Sequence, residues 1–143
     1  MEKRQDEKHG QFYITQDVAL FNERGELLAL RSVFGGRWLL PGGHINEGED
    51  GPEALRREVR EETGIEAVEL GGVFDTDTWT NREGAHYGVF FLGRVRDAQV
   101  VLSEEHTEYR WLGSLAEVEA LDWWVPELGA RARQAWQLQW GER

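Results

Sequence analysis

Three glutamates, Glu58, Glu61 and Glu62, stand at i, i+3 and i+4 in the segment Arg56–Ile65. On a helix that spacing places them on one face. Like charges so arranged repel by ~0.2–0.5 kcal/mol per pair, and the C-terminal end of a helix already disfavours negative charge. The cluster calls for a compensating charge, and a divalent cation is the simplest one. A backbone carbonyl of the Gly42-Gly43 turn can add a ligand, because glycine lets the chain approach closely. Mg²⁺ in such a setting takes phosphate oxygens as further ligands and lowers the pKa of a coordinated water, whose proton a free carboxylate can accept. The chemistry implied is attack of water on phosphorus, with cleavage of a pyrophosphate bond.

The helix that carries these groups is delimited by local signals. Asp50 as N-cap and Glu53 three residues on fit a capping box, with Pro52 in the first turn. Leu55 and Val59, with Ala54 beside them, form the stripe that holds the helix on a sheet. Gly64 is placed to end it in the left-handed conformation, with Ile65 packing back over the last turn. Arg57 sits among the glutamates and can pair with one carboxylate to fix its orientation.

Gly43, five residues, Glu49, seven residues, then Arg57-Glu58-Val59-Arg60-Glu61-Glu62-Thr63-Gly64-Ile65 resembles the complete signature of the Nudix hydrolases. The approach Trp38-Leu39-Leu40-Pro41-Gly42 is similar to the family's as well. The signature covers about one sixth of the chain, and every fixed position is matched, unlike a lone glycine motif. The resemblance implies an α/β fold, the α/β/α sandwich with a mixed β-sheet. It also implies a Mg²⁺ (or Mn²⁺) cofactor held by Glu58, Glu61 and Glu62 with the Gly42 carbonyl. By the same resemblance Arg57 orients a glutamate, and Gly43 and Glu49 support the site. The general base varies within the family, and Glu58, Glu104 and Glu105 are all candidates. The expected activity is hydrolysis of a nucleoside diphosphate linked to another moiety, a nucleoside triphosphate or nucleotide sugar. A non-catalytic nucleotide-binding module is the alternative. A Nudix-like isomerase of isoprenoid diphosphates uses a catalytic cysteine, and this chain has none.

Around the helix the pattern predicts strands over Gln11–Phe21 and Glu26–Val33, joined by the turn Asn22–Gly25, and a short extended piece over Arg37–Leu40. Further strands are expected over Ile65–Phe74, kinked or bulged at Gly71-Gly72, and over His86–Val95, Ala98–Leu102 and Tyr109–Leu112. The polar stretches Asp75–Gly84 and Ser103–Thr107 read as loops, and Arg96-Asp97 as a turn. Ser114 is expected to cap a short helix to Leu121, and Pro126 to open a last helix burying Leu128, Ala132, Ala135 and Trp136. At 143 residues the chain is one domain, residues 11–143, behind a charged tail of residues 1–10.

With no cysteines, disulfides and thiolate metal sites are excluded, which fits a cytoplasmic protein. No apolar run reaches the ~18 residues of a membrane span. The net charge of −11 argues against nucleic-acid and anionic-membrane partners. It would also repel a polyphosphate substrate unless cations reverse the local sign. A nucleotide needs a platform for its base. Trp79, in the polar stretch, is the favoured stacking residue, with Tyr87 and His106 as further substrate contacts. Trp38 and Trp111, flanked by apolar residues, read as core. His44 and His86 read as surface or hydrogen-bonded histidines. Trp123-Trp124 and Trp136 are expected to pack the C-terminal helices or a homodimer interface.

Overall fold

The computed structural model describes residues 7–96 and 99–141. Most of the expected tail, and Asp97 and Ala98, lie outside the described residues. Strands β1 (Tyr13–Phe21), β2 (Leu27–Ser32), β3 (Trp38–Leu39) and β4 (Gly42–His44) precede helix α1 (Gly51–Thr63). Strands β5 (Glu69–Asn81), β6 (Gly84–Arg94) and β7 (His106–Leu112) follow, then helices α2 (Leu115–Ala120) and α3 (Pro126–Trp140).

The run Val18-Ala19-Leu20-Phe21 is continuously apolar because β1 is covered on both sides. Val18 and Leu20 pack with Leu55 and Val59 of α1. Ala19 and Phe21 face Ala132, Ala135 and Trp136 of α3. Successive side chains of a strand point to opposite faces, so a strand between two helical layers must be apolar at every position. Each fully buried large apolar side chain contributes ~1.5–3 kcal/mol. The sheet is mixed, in the order β3-β2-β1-β6-β5, with β4 also on β1 and β7 also on β2. β1 and β6 run parallel, from Tyr13 opposite His86 to Phe21 opposite Arg94, and the other strand pairs are antiparallel. This is the expected α/β/α arrangement.

Helix α1 is built as its signals require. The Glu53 N–H donates to Asp50 Oδ2 at 3.3 Å, and Pro52 occupies the first turn. Gly64 closes the helix at φ 74°, its N–H donating to the Arg60 carbonyl at 2.8 Å. A side chain at that φ is strained. Gly64→Ala is therefore expected to cost ~1–2 kcal/mol, the penalty of a left-handed alanine, read as a lower urea midpoint at unchanged slope.

Three segments differ from expectation. The stretch Asp75–Gly84 is no loop. Asp75–Asn81 extend β5 against β6, with Trp79 opposite His86, and only Arg82 and Glu83 turn. The alternation Thr-Asp-Thr-Trp-Thr suits a solvent-facing edge strand, where polar side chains are tolerated and threonine and tryptophan have high β-propensity. Conversely, residues 99–105 form no strand. The Val101 N–H instead donates to the Thr63 carbonyl (2.8 Å) and that of Ser103 to the Glu62 carbonyl (3.4 Å). The end of α1 leaves these carbonyls without intrahelical partners, and the coil satisfies them. The Gly42-Gly43 turn is likewise a short strand paired with Asp17 and Gln16. The Gly71-Gly72 kink is present, as register shifts between Leu70 and Asp75. Trp38 is buried in the core, under the Arg110 guanidinium at 4.8 Å.

Candidate active site

The carboxylates of α1 do not point alike. Glu62 turns inward to 7% exposure, its Oε1 accepting the Gly42 N–H at 2.8 Å. Glu58 lies against Gly43, where a methyl group would collide with its carboxylate. Glycine at 43 is thus part of the carboxylate's seat. Glu61 stays at the rim with its side chain more than half exposed, bound to Arg57.

Arg57 organises the entry. Its Nε and Nη2 grip both oxygens of Glu49 at 2.7 and 2.9 Å, while Nη1 donates to Glu58 (3.0 Å) and Glu61 (3.2 Å). Nη2 also donates to the His44 carbonyl at 3.3 Å. One guanidinium therefore orients three carboxylates rather than the single one expected, and ties the loop before α1 to the helix. The contact with Arg57, then the Asn46 N–H, holds the Glu49 carboxyl below its ordinary range.

Around Glu62 the balance is reversed. Burial pushes its pKa up to about 9, and the nearby charges of Glu58, Asp17 and Glu105 add to the shift against the Gly42 N–H. Burial likewise raises Glu58, opposed by Arg57. Asp17, next to Gly42 across the β1–β4 pair, is pushed up to about 7 by burial. It is enclosed by protein yet not wholly shielded from solvent. Four carboxyls thus converge from α1, β1 and the coil before β7.

Asp17 is a member that sequence reading passed over. Its only signal is a single charge inside the otherwise buried segment Gln16–Phe21. Glu105 and His106 reach Glu62 because the coil is fastened to the end of α1. One ligand atom from each of the three lies within 4.8 Å of the others. Glu104 is exposed and stands outside this group. His106 is 8% exposed, and burial lowers its basicity against the pull of Glu105.

A divalent cation fits these residues. The charges of Glu58, Asp17 and Glu105 add to the raised pKa of Glu62, and among the described residues no protein cation bonds Glu62. Oxygen donors with one imidazole suit a hard or borderline ion.

The substrate-contact candidates separate. Trp79 stacks on His86, with ring centroids 5.4 Å apart and planes at 2°. The ring lies across Gly88, where any side chain would displace it. Tyr13 and His44 complete the aromatic group, each within about 6 Å of a neighbouring ring. Nε2 of His86 meets Asn81 Oδ1 at 3.0 Å, so His86 is the hydrogen-bonded histidine expected, and it is buried. Tyr87 falls on the other face of β6 and packs edge-on to Phe12. His106 lies with the glutamates, away from Trp79. Among the described residues no helix is long and apolar enough to cross a membrane.

Against known proteins, the NUDIX domain model matches residues 12–133. The chain belongs to the Nudix hydrolase family. It is 38% identical over 98 residues to a mouse bis(5'-nucleosyl)-tetraphosphatase (asymmetrical), an alignment covering 64% of this chain and 67% of that one. It is 31% identical over 96 residues to the nucleoside triphosphatase NudI of Salmonella schwarzengrund, covering 57% of this chain and 65% of the relative. The chain thus spans about two thirds of the length of these relatives. Among solved structures it superposes on a MutT protein from Methanosarcina mazei with a TM-score of 0.73 at 31% identity, covering 93% and 96% of the two chains. A C. elegans Ap4A hydrolase shares the fold, with a TM-score of 0.74 at 22% identity over 88% of this chain and 96% of that one.

Proposed function

We propose that the protein hydrolyses a pyrophosphate bond of a linear nucleoside polyphosphate, a nucleoside triphosphate or a dinucleoside polyphosphate, with Mg²⁺ or Mn²⁺ as cofactor. The observation that carries this reading is the convergence of Asp17, Glu58 and Glu105 on the enclosed Glu62, which has no arginine partner of the kind Glu58 has. Bound cation supplies Lewis acidity toward phosphate oxygens and water. Glu62 and Glu105 hold it. Glu58 accepts the proton of the attacking water, since burial raises its basicity while Arg57 fixes its direction. Arg57, braced by Glu49, keeps that geometry when the site fills. Linear polyphosphates are preferred over nucleotide sugars because the named activities of the mouse and Salmonella relatives concern them.

The strand register supports the length of the substrate. Tyr13 and His86 are paired, and Asp17 stands four residues further along β1, opposite Gly42. At ~3.3 Å per residue the aromatic group lies ~13 Å from the carboxylates, a span that fits a nucleoside with its base on Trp79 and its phosphates at the centre. Trp79→Ala should raise KM about tenfold with kcat largely kept, as expected when a stacking contact worth ~1–3 kcal/mol is lost. Unchanged KM on the best substrate would remove Trp79 from the platform.

The deciding experiment is product identification from a panel of nucleoside triphosphates, dinucleoside polyphosphates and nucleotide sugars, with Mg²⁺ and with EDTA. Metal-dependent cleavage of a linear polyphosphate is expected. Nucleotide binding without cleavage of any compound would support the sensing module instead.

A further inference from the structure

His106 is at odds with the ordinary behaviour of a buried histidine. At 8% exposure it lies in the sheet-side wall of the centre, on the first residue of β7. Its Nδ1 is buried without a hydrogen-bond partner. Its Nε2 faces Glu62 Oε2 at 3.8 Å, beyond hydrogen-bond length. A buried polar group without a partner costs ~1–3 kcal/mol, and native proteins pair nearly all of them. His86 also leaves its buried Nδ1 without a partner, but its Nε2 is bonded to Asn81 at 3.0 Å, so the two histidines differ at Nε2, the atom of His106 that faces Glu62.

The 3.8 Å separation suits a different arrangement. Two atoms bound to one ion at ~2.1 Å each stand ~3.0 Å apart at a right angle and at most ~4.2 Å apart. Glu105 brings a third donor within 4.8 Å of both. The position is fixed by backbone. The Glu105 carbonyl accepts the Val33 N–H at 2.9 Å, the His106 N–H reaches the Ser103 carbonyl at 3.4 Å, and His106 pairs with Ser32 of β2. The imidazole is therefore held at the centre from two sides, by its pairing with β2 and by the coil fastened to the end of α1.

We propose that His106 is a nitrogen ligand of the divalent-metal centre, joining Glu62 and Glu105, and that it biases the centre toward Mn²⁺ over Mg²⁺. The inference rests on the metal-dependent reading above and extends it to the identity of the ion. Mg²⁺ keeps an all-oxygen shell, whereas imidazole is a good ligand for borderline first-row ions. The role differs from the substrate contact expected of His106 on sequence grounds, and it makes the residue a determinant of which ion is resident.

The test uses the 143-residue chain, without nucleotide, loaded with Mn²⁺. Pulsed electron paramagnetic resonance is expected to show a directly coordinated ¹⁴N, and His106→Gln to abolish it. Calorimetric titration should show Mn²⁺ affinity falling about 10- to 100-fold in His106→Gln, the range for lost metal-site interactions, while Mg²⁺ affinity changes far less. Absence of nitrogen coupling in the wild type overturns the proposal, and so does an equal loss of both affinities in the variant. Should His106→Gln fail to fold, the wild-type spectrum alone decides. Nitrogen coupling in a protein that cleaves no nucleotide would refute the hydrolase reading and leave the ligand assignment standing.

Discussion

Replacing Glu62 by glutamine is expected to lower turnover at least ~10²-fold, the low end of what electrostatic and acid–base groups contribute, without destabilising the metal-free protein at pH 8. The two halves of this expectation have one cause. Glu62 is the most enclosed member of the carboxyl group, and its charge is opposed by burial, Glu58, Asp17 and Glu105. Glutamine keeps the Gly42 N–H bonded through its amide oxygen and removes the charge. Without a divalent ion the folded protein at pH 8 must hold on Glu62 a proton that the unfolded chain has lost, and glutamine removes that cost, so the melting temperature should hold or rise. With the ion present, its charge partner is lost. Glu58→Gln should reduce kcat to a similar degree but retain more of the metal affinity, since its proposed role is proton acceptance. Steady-state rates with Mg²⁺, set beside melting curves in EDTA, check both. Near-normal turnover in both variants would refute the assignment.

The metal-free protein should also lose stability as pH rises, opposite to the trend for salt-bridged carboxylates. A glutamate in the unfolded chain titrates near pH ~4.3, whereas burial holds the Glu62 proton up to about pH 9 in the folded protein. Between those limits the folded state binds more protons than the unfolded state, so ∂ΔG/∂pH for unfolding is negative. Stability is highest below the unfolded value and falls through the interval. Asp17, raised to about 7, adds a shorter contribution with the same sign. Each tenfold difference in proton affinity is ~1.4 kcal/mol, so a steep loss of stability by pH 9 is expected in EDTA. Saturating Mg²⁺ or Mn²⁺ should flatten the slope, because the ion binds the ionised folded state and stabilises it by mass action. Monovalent salt at equal ionic strength should do less, since it only screens. A metal-free melting temperature that rises steadily from pH 5 to pH 9 would contradict the buried cluster.

Helix α1 and its glutamates were legible in the sequence because their determinants are local. Asp50, Pro52 and Gly64 act within a turn of where they stand, and the fixed spacing of Glu49, Arg57 and Glu58 carries the site's framework. The α/β/α layering was legible only through the family resemblance; the structure shows its physical basis in the run Val18–Phe21 of β1, covered on both faces. What could not be read depended on partners far along the chain. Asp75–Asn81 is polar and resembles a loop until β6 supplies its hydrogen bonds. Val100, Val101 and Leu102 form an apolar run that suits a strand, yet the Val101 amide is taken by the end of α1. Asp17 is one charge in a buried run, and its meaning appears only when β4 and α1 are laid beside it. His106 was visible as a residue type, but its place beside Glu62 follows from the β2–β7 register.

The parallel β1–β6 pair has a consequence for how the molecule is made. Tyr13 meets His86, a residue 73 positions later, and α1 lies in the interval between them. Closing so long a loop is entropically costly, and contacts of this kind slow folding. On the ribosome, β1, β2, β4 and α1 can emerge with their caps in order while one edge of β1 still lacks its neighbour. Glu105 and His106 are synthesised later still. The acidic centre therefore completes after the helix that carries most of it, and a nascent chain ending before β6 would expose an open, largely apolar strand edge. Such an edge is a template for pairing with other chains, so the interval before β6 docks is the stage of biogenesis most open to aggregation.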